Sequence, residues 1–145
     1  MLIEKLIVPK IAILDDEAHI VDILYSYIKD DFPNLEIFTY TDGTEALKDI
    51  ASKKINIIIL DVNLPRLHGQ SVFKQCLGFS HGCKVIMISG ETSYTNVLSA
   101  FCDGASGFIY KPFERKEVIS SVKMCLEQIN YWNEVLSRTV ARKSN

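Results

Sequence analysis

Residues 56–69 read "NIIILDVNLPRLHG". Four of the first five are apolar, and the run then ends on an acid, Asp61, with Pro65 and Gly69 close behind. A short run of this kind, apolar throughout and rich in β-branched residues, is expected of a strand covered on both faces. The carboxylate at its end, followed by turn-forming residues, places a charged group at the strand tip with a shaped loop around it.

Working outward, four more runs share this character: "KIAIL" (10–14), "LEIFTY" (35–40), "KVIMI" (84–88) and "GFIY" (107–110). Stretches of helical spacing separate them. Ile20, Leu24, Tyr27 and Ile28 form one stripe, closed by Phe32-Pro33. Asp42-Gly43-Thr44 opens a second helix that buries Leu47 and Ile50. Val72, Phe73, Cys76 and Leu77 make a third, ended by Gly78, and Val97, Leu98 and Phe101 a fourth, stopped near Gly104. A fifth begins after Pro112. Five strands alternating with five helices predict an α/β fold: a doubly wound, five-stranded parallel sheet with right-handed crossovers.

The 145 residues suit one domain, large enough to bury about two thirds of its unfolded surface. With 48% hydrophobic residues, 23% charged and a formal charge of −2, the composition argues against broad attraction to nucleic acid. No apolar run approaches the roughly 20 residues of a membrane span. The start, "MLIEKLIVPK", is interrupted by Glu4 and Lys5 and reads as a lead-in to the first strand rather than a signal peptide. Cys76, Cys83, Cys102 and Cys125 lack CxxC spacing and partner histidines at metal-site intervals. Four buried, reduced thiols in a cytoplasmic protein are expected.

Parallel sheets of this class bind ligands at the carboxyl ends of their strands, where strand order reverses. The first strand runs into Asp15, Asp16 and Glu17, the third ends on Asp61, the fourth on Ser89-Gly90 and the fifth on Lys111-Pro112. Each alone has an ordinary explanation; Asp16, for instance, would serve as a helix cap. Their grouping on one rim is the informative feature. With the strand order 2-1-3-4-5, the first and third strands are neighbours about 4.8 Å apart. Three carboxylates then converge within about 5 Å, and each like-charge pair costs roughly 3 kcal/mol at an effective dielectric near 20. A divalent cation removes that conflict, and an all-oxygen site suits Mg²⁺. Lys111, two strands from Asp61, must reach back about 10 Å across the sheet. A carboxylate, a cation, a hydroxyl and an ammonium together describe phosphoryl transfer to Asp61, giving an acyl phosphate.

The pieces "LDDE" (14–17), "LDVNLPRLHG" (60–69), "ISG" (88–90), "GA" (104–105) and "YKPF" (110–113) resemble, in combination and spacing, the receiver domain of two-component response regulators. The likeness covers residues 10 to about 128. It implies that Asp61 is the phospho-acceptor and that Asp15 and Asp16 hold Mg²⁺, with the backbone carbonyl of Asn63 as a further ligand. It makes Ser89 and Lys111 the groups that meet the phosphoryl group, with Tyr110 a switch aromatic that rotates inward when Ser89 moves. Asn63 and Glu91 fall at the positions that tune phosphoryl lifetime, and the bond before Pro112 is expected to be cis. Leu64, Ser89 and Gly90 replace the commoner methionine, threonine and alanine without removing a necessary group. The implied donor is a histidine kinase or phosphotransfer protein, contacting the first helix and the loop after the fifth strand. The implied output is a changed surface of fourth helix, fifth strand and fifth helix that regulates a partner or a fused output domain. Such a chain is a switch rather than an enzyme, catalysing only its own phosphorylation and dephosphorylation.

Two other classes fit less well. A Mg²⁺-dependent phosphohydrolase with an aspartyl nucleophile wants a second acid two residues on, where Asn63 stands. A flavin carrier on this fold wants a Ser/Thr/Gly-rich phosphate loop after the first strand, where "DDEAHI" is acidic instead. His68 reads as a surface loop residue, and Arg115, Lys116 and Lys123 as a solvated face. Val118, Val122, Cys125, Ile129, Trp132, Leu136 and Thr139 recur at steps of four and three, an a/d pattern over three heptads. It supports two readings: a helix continuing to about Arg138 that self-associates or leads to a partner, or a single helix packed on the sheet with a frayed tail. The expected organisation is a lead-in over 1–9, a receiver over 10–128 and a helical extension with tail over 129–145. No output domain, direct nucleic-acid contact or membrane segment is expected in the chain.

Overall fold

The computed structural model describes residues 6–64, 69–90 and 93–143. Five strands, β1 (Lys10–Leu14), β2 (Glu36–Tyr40), β3 (Ile57–Asp61), β4 (Lys84–Ser89) and β5 (Gly107–Tyr110), alternate with five helices. These are α1 (Ala18–Asp31), α2 (Gly43–Lys53), α3 (Gly69–Leu77), α4 (Tyr94–Cys102) and α5 (Arg115–Lys143). All strand pairs are parallel and the order is β2-β1-β3-β4-β5. The expected architecture is the observed one.

The apolar runs explain the layering. β3 is buried at every position, because its alternate side chains enter two different cores. Ile57 and Ile59 join Leu24 and Ile28 of α1 and Val118 and Val122 of α5 on one face. Ile58 and Leu60 join Ile50 of α2 and Val72 and Phe73 of α3 on the other. A fully buried side chain of this size contributes roughly 1.5–3 kcal/mol, so a charge within these strands is excluded and polar chemistry is displaced to their ends.

Local signals set the joins. Asp42 caps α2 by accepting from the Thr44 N–H at 2.8 Å. The buried Asn56 side chain accepts from Lys10 N–H and donates to the Val8 carbonyl, stitching the start of β1 to the strand beside it. Gly69 is required by contact: a Cβ there would stand 2.4 Å from the Val62 Cα and 2.5 Å from its carbonyl oxygen. Both are backbone atoms that cannot swing aside, so Gly69→Ala should destabilise the fold by about 2–3 kcal/mol, the upper range for overpacking, as read from a denaturant midpoint.

Several expectations are corrected. Only Ala100 of α4 is fully buried, while Leu98 and Phe101 are exposed, Phe101 at 75%. Leu47 and Leu77 lie at the margin of the core rather than within it. The four thiols are free, but only Cys76 and Cys125 are buried; Cys83, in the α3–β4 loop, is half-buried and Cys102, at the end of α4, is exposed. The fifth helix runs past Arg138 to Lys143, its core face being Val118, Val122, Cys125 and Ile129. Trp132 is 53% exposed and Thr139 is exposed, its hydroxyl donating to the Val135 carbonyl. The helix is held beyond Ile129 by Asn133, whose side chain pairs with both the N–H and carbonyl of Ile7.

Candidate phospho-acceptor site

The carboxyl ends of β1, β3, β4 and β5 converge at one rim, as the strand order requires. One oxygen each from Asp15, Asp16 and Asp61 lie within 4.8 Å of one another. Asp15 is wholly buried and Asp61 is 3% exposed, whereas Asp16 faces solvent. Each buried acid is oriented by the backbone just beyond it. Glu17 N–H donates to Asp15 Oδ1 at 2.9 Å and Asn63 N–H to Asp61 Oδ1 at 3.0 Å. The Oδ2 atoms are thereby left facing the centre of the site.

Lys111 fills the role that its distance along the sheet demanded. Its Nζ stands 2.8 Å from Asp15 Oδ2 and 3.4 Å from Asp61 Oδ2. Burial works against its charge, but the two carboxylates outweigh that, and its pKa is raised above the ordinary lysine value. The contact with Asp61 is a hydrogen bond. Asp15 Oδ2 is wholly buried, and the same ammonium, 2.8 Å away, is its charge partner. A single ammonium does not balance three acids, two of them buried. That donor set, all carboxylate oxygen with more negative than positive charge, fits a hard divalent cation.

Ser89 is buried at 2% exposure at the end of β4, where its carbonyl accepts from the Lys111 N–H at 2.8 Å. Beside it is a cavity of about 140 Å³ lined by Val62, Asn63, Gln70, Met87, Asn96 and Phe108. Tyr110 does not occupy this cavity: it is 44% exposed, its ring 5.4 Å from Phe108. The Lys111–Pro112 bond is cis. Asn63 is exposed at the mouth of the site. Glu91, with Pro65 and His68, lies outside the described residues. Sequence reasoning missed Gln70 and Asn96; two polar residues at the starts of helices carry no signal that a cavity will lie between them.

The description "Response regulator receiver domain" matches residues 11–123. The chain belongs to the response regulator receiver family. Among curated relatives, the regulatory protein VanR of Enterococcus faecium is 32% identical over 126 residues, covering 87% of this chain and 53% of VanR. The alkaline phosphatase synthesis transcriptional regulatory protein PhoP of Bacillus subtilis is 32% identical, covering 82% and 49%. The chain thus spans about half the length of these relatives. A CheY-like response regulator receiver domain protein from Methanospirillum hungatei superposes with a TM-score of 0.76 at 24% identity, covering 86% of this chain and 98% of that one, a likeness of fold. Receiver domains of two-component systems generally bind Mg²⁺ at an acidic cluster, and the Asp15–Asp16–Asp61 group is such a cluster. Among the described residues, no helix is long and apolar enough to cross a membrane.

Proposed function

We propose that this receiver is a phosphorylation switch in which Asp61 accepts a phosphoryl group from a histidine kinase or phosphotransfer protein. The observation that carries the reading is the meeting of Asp61 Oδ2 with the Lys111 ammonium inside the three-acid cluster. Its Oδ1 is tied to the Asn63 N–H, and its Oδ2 points to Lys111, beside the buried Asp15 and the exposed Asp16. Attack by Oδ2 on phosphorus, with departure of the donor group, gives an aspartyl phosphate. Lys111 would neutralise charge on the equatorial oxygens, and the Ser89 hydroxyl would meet one of them. Asp15, Asp16, Asp61 and the Asn63 carbonyl would hold Mg²⁺, which when bound supplies the remaining positive charge.

The new dianion would draw Ser89 and Lys111 inward. Tyr110, now outside, has the cavity beside Ser89 to turn into, consistent with a two-position element. The surface this would remodel carries Tyr94, Leu98 and Phe101, three exposed apolar side chains around Tyr110. That patch favours a partner or a fused output domain docking there over a solvated face. Residues 10–128 would form the switch and 129–145 its helical extension, through which two copies would pair if the heptad pattern is used.

Incubation with a small acyl-phosphate donor and Mg²⁺, followed by intact-mass measurement, should add one phosphoryl group, mapped to the peptide containing Asp61. A chelator should prevent it. An adduct that forms equally well in chelator, or maps to another residue, would overturn the assignment.

A further inference from the structure

At the opposite end of the sheet from the acidic rim, β4 begins on Lys84, roughly 16 Å of extended chain from Ser89. Lys84 lines a cavity of about 340 Å³ between the α3–β4 turn, the start of β4 and the part of α5 that leaves the core. Its apolar walls are Ile7, Leu77 and Ile129, and Trp132, 53% exposed, completes them. Polar groups in the wall include Asn56, His81 and Lys84. The first two are already engaged. The Asn56 side chain bonds the Lys10 N–H and the Val8 carbonyl, and His81 Nε2 donates to the Ile55 carbonyl at 2.8 Å. Lys84 differs: it is half-buried, yet its ammonium has neither an acid nor a hydrogen-bond acceptor among the described residues. No Asp or Glu lines the cavity. An ammonium partly withdrawn from water is costly unless an anion faces it, and here the protein supplies none.

We propose that this cavity binds a small aromatic carboxylate, its anionic group on Lys84 and its ring beside Trp132. The volume falls within the ordinary range of small-molecule sites, roughly 300–1,000 Å³. One ammonium balances one negative charge, which favours a carboxylate over a phosphate dianion and excludes a cation. The apolar walls would take the body of the ligand, and the indole offers a ring a stacked or edge-on contact. Such a ligand touches the body of the domain and the extension of α5 together. Its binding would therefore strengthen a junction that Asn133 already makes through its two bonds to Ile7. The site shares no residue with the phospho-acceptor cluster, and neither reading depends on the other.

Trp132 is the only tryptophan in the chain, so its fluorescence reports on the site directly. The whole chain, without Mg²⁺ or a phosphoryl donor, is titrated with benzoate and excited where benzoate does not absorb. A saturable change is expected, and benzamide and benzylamine at the same concentrations should not produce it. Lys84→Gln should weaken benzoate binding about ten-fold or more, the loss of one charge-assisted hydrogen bond, and Lys84→Arg should retain most of it. Equal denaturant midpoints would show that both variants are folded. Saturation-transfer NMR observes benzoate itself, and with it Trp132→Ala should also bind more weakly than the wild type. A response that rises linearly without saturating would overturn the site. Equal responses to benzoate and benzamide, or a folded Lys84→Gln that binds like the wild type, would overturn the assignment of the ligand as an anion held by Lys84.

Discussion

Asp61→Asn should take up no phosphoryl group from an acyl-phosphate donor, and without divalent cations it should be more stable than the wild type. The first expectation follows from the loss of the nucleophile, since an amide cannot form the acyl phosphate. The second follows from the cluster. Asp61 faces two other carboxylates within 4.8 Å, each like-charge pair costing roughly 3 kcal/mol at an effective dielectric near 20. Its attraction to Lys111 at 3.4 Å is worth roughly 5 kcal/mol by the same rule, so repulsion exceeds attraction by a small margin. At face value the margin is about 1 kcal/mol; Asp16 is exposed, which weakens its share, so the expected gain is smaller, no more than about 3 °C in Tm for a chain of this size. Titrating Mg²⁺ should close the gap, because the cation binds the folded wild type more tightly and stabilises it by mass action. A variant that is phosphorylated like the wild type would put the acceptor elsewhere. A variant less stable than the wild type in chelator would mean the three acids are not in conflict.

The same cluster shows what can be read from sequence. Strand runs such as Ile57–Leu60 are apolar at every position because both faces are covered, so the layering follows from composition. The polar residues that interrupt them can then lie only at strand ends. Asp15, Asp61, Ser89 and Lys111 were therefore placed at one rim by strand order alone, and the Lys111 reach was implied by strand spacing. The α4 surface was not foreseeable in this way. Val97, Leu98 and Phe101 have the spacing of a core stripe, yet Leu98 and Phe101 face water and the small Ala100 is the buried contact. Hydropathy reports what a side chain would gain by burial, not whether a neighbour is present to cover it. Asn133 likewise gives no sign of its bond to Ile7, a contact between residues 126 apart in the chain.

Lys111→Met should shift stability in the opposite sense to Asp61→Asn. The ammonium contacts both buried carboxylates, and its removal leaves Asp15 Oδ2 with neither a hydrogen bond nor a counter-charge. Breaking a fully buried pair costs about 3–5 kcal/mol. Lys111 keeps 20% of its side chain in contact with water, which lowers the expected loss to about 2–3 kcal/mol. Added Mg²⁺ should recover part of that loss, since the acids it would neutralise are then more exposed to one another. Phosphoryl uptake should slow by about 10²–10³-fold, the usual effect of removing one preorganised group that stabilises transition-state charge. The pH dependence gives an independent check. The Lys111 pKa is raised in the folded state, so its contribution is complete below the ordinary lysine value of about 10.4 and fades as pH rises through the folded value. Wild type should therefore lose stability in that alkaline window more steeply than Lys111→Met, and their denaturant midpoints should draw together. Midpoints that stay equally far apart at all pH values would assign the loss to the methionine's packing rather than to the missing charge. Equal stability at neutral pH would mean that the ion pair is not what allows these acids to be buried side by side.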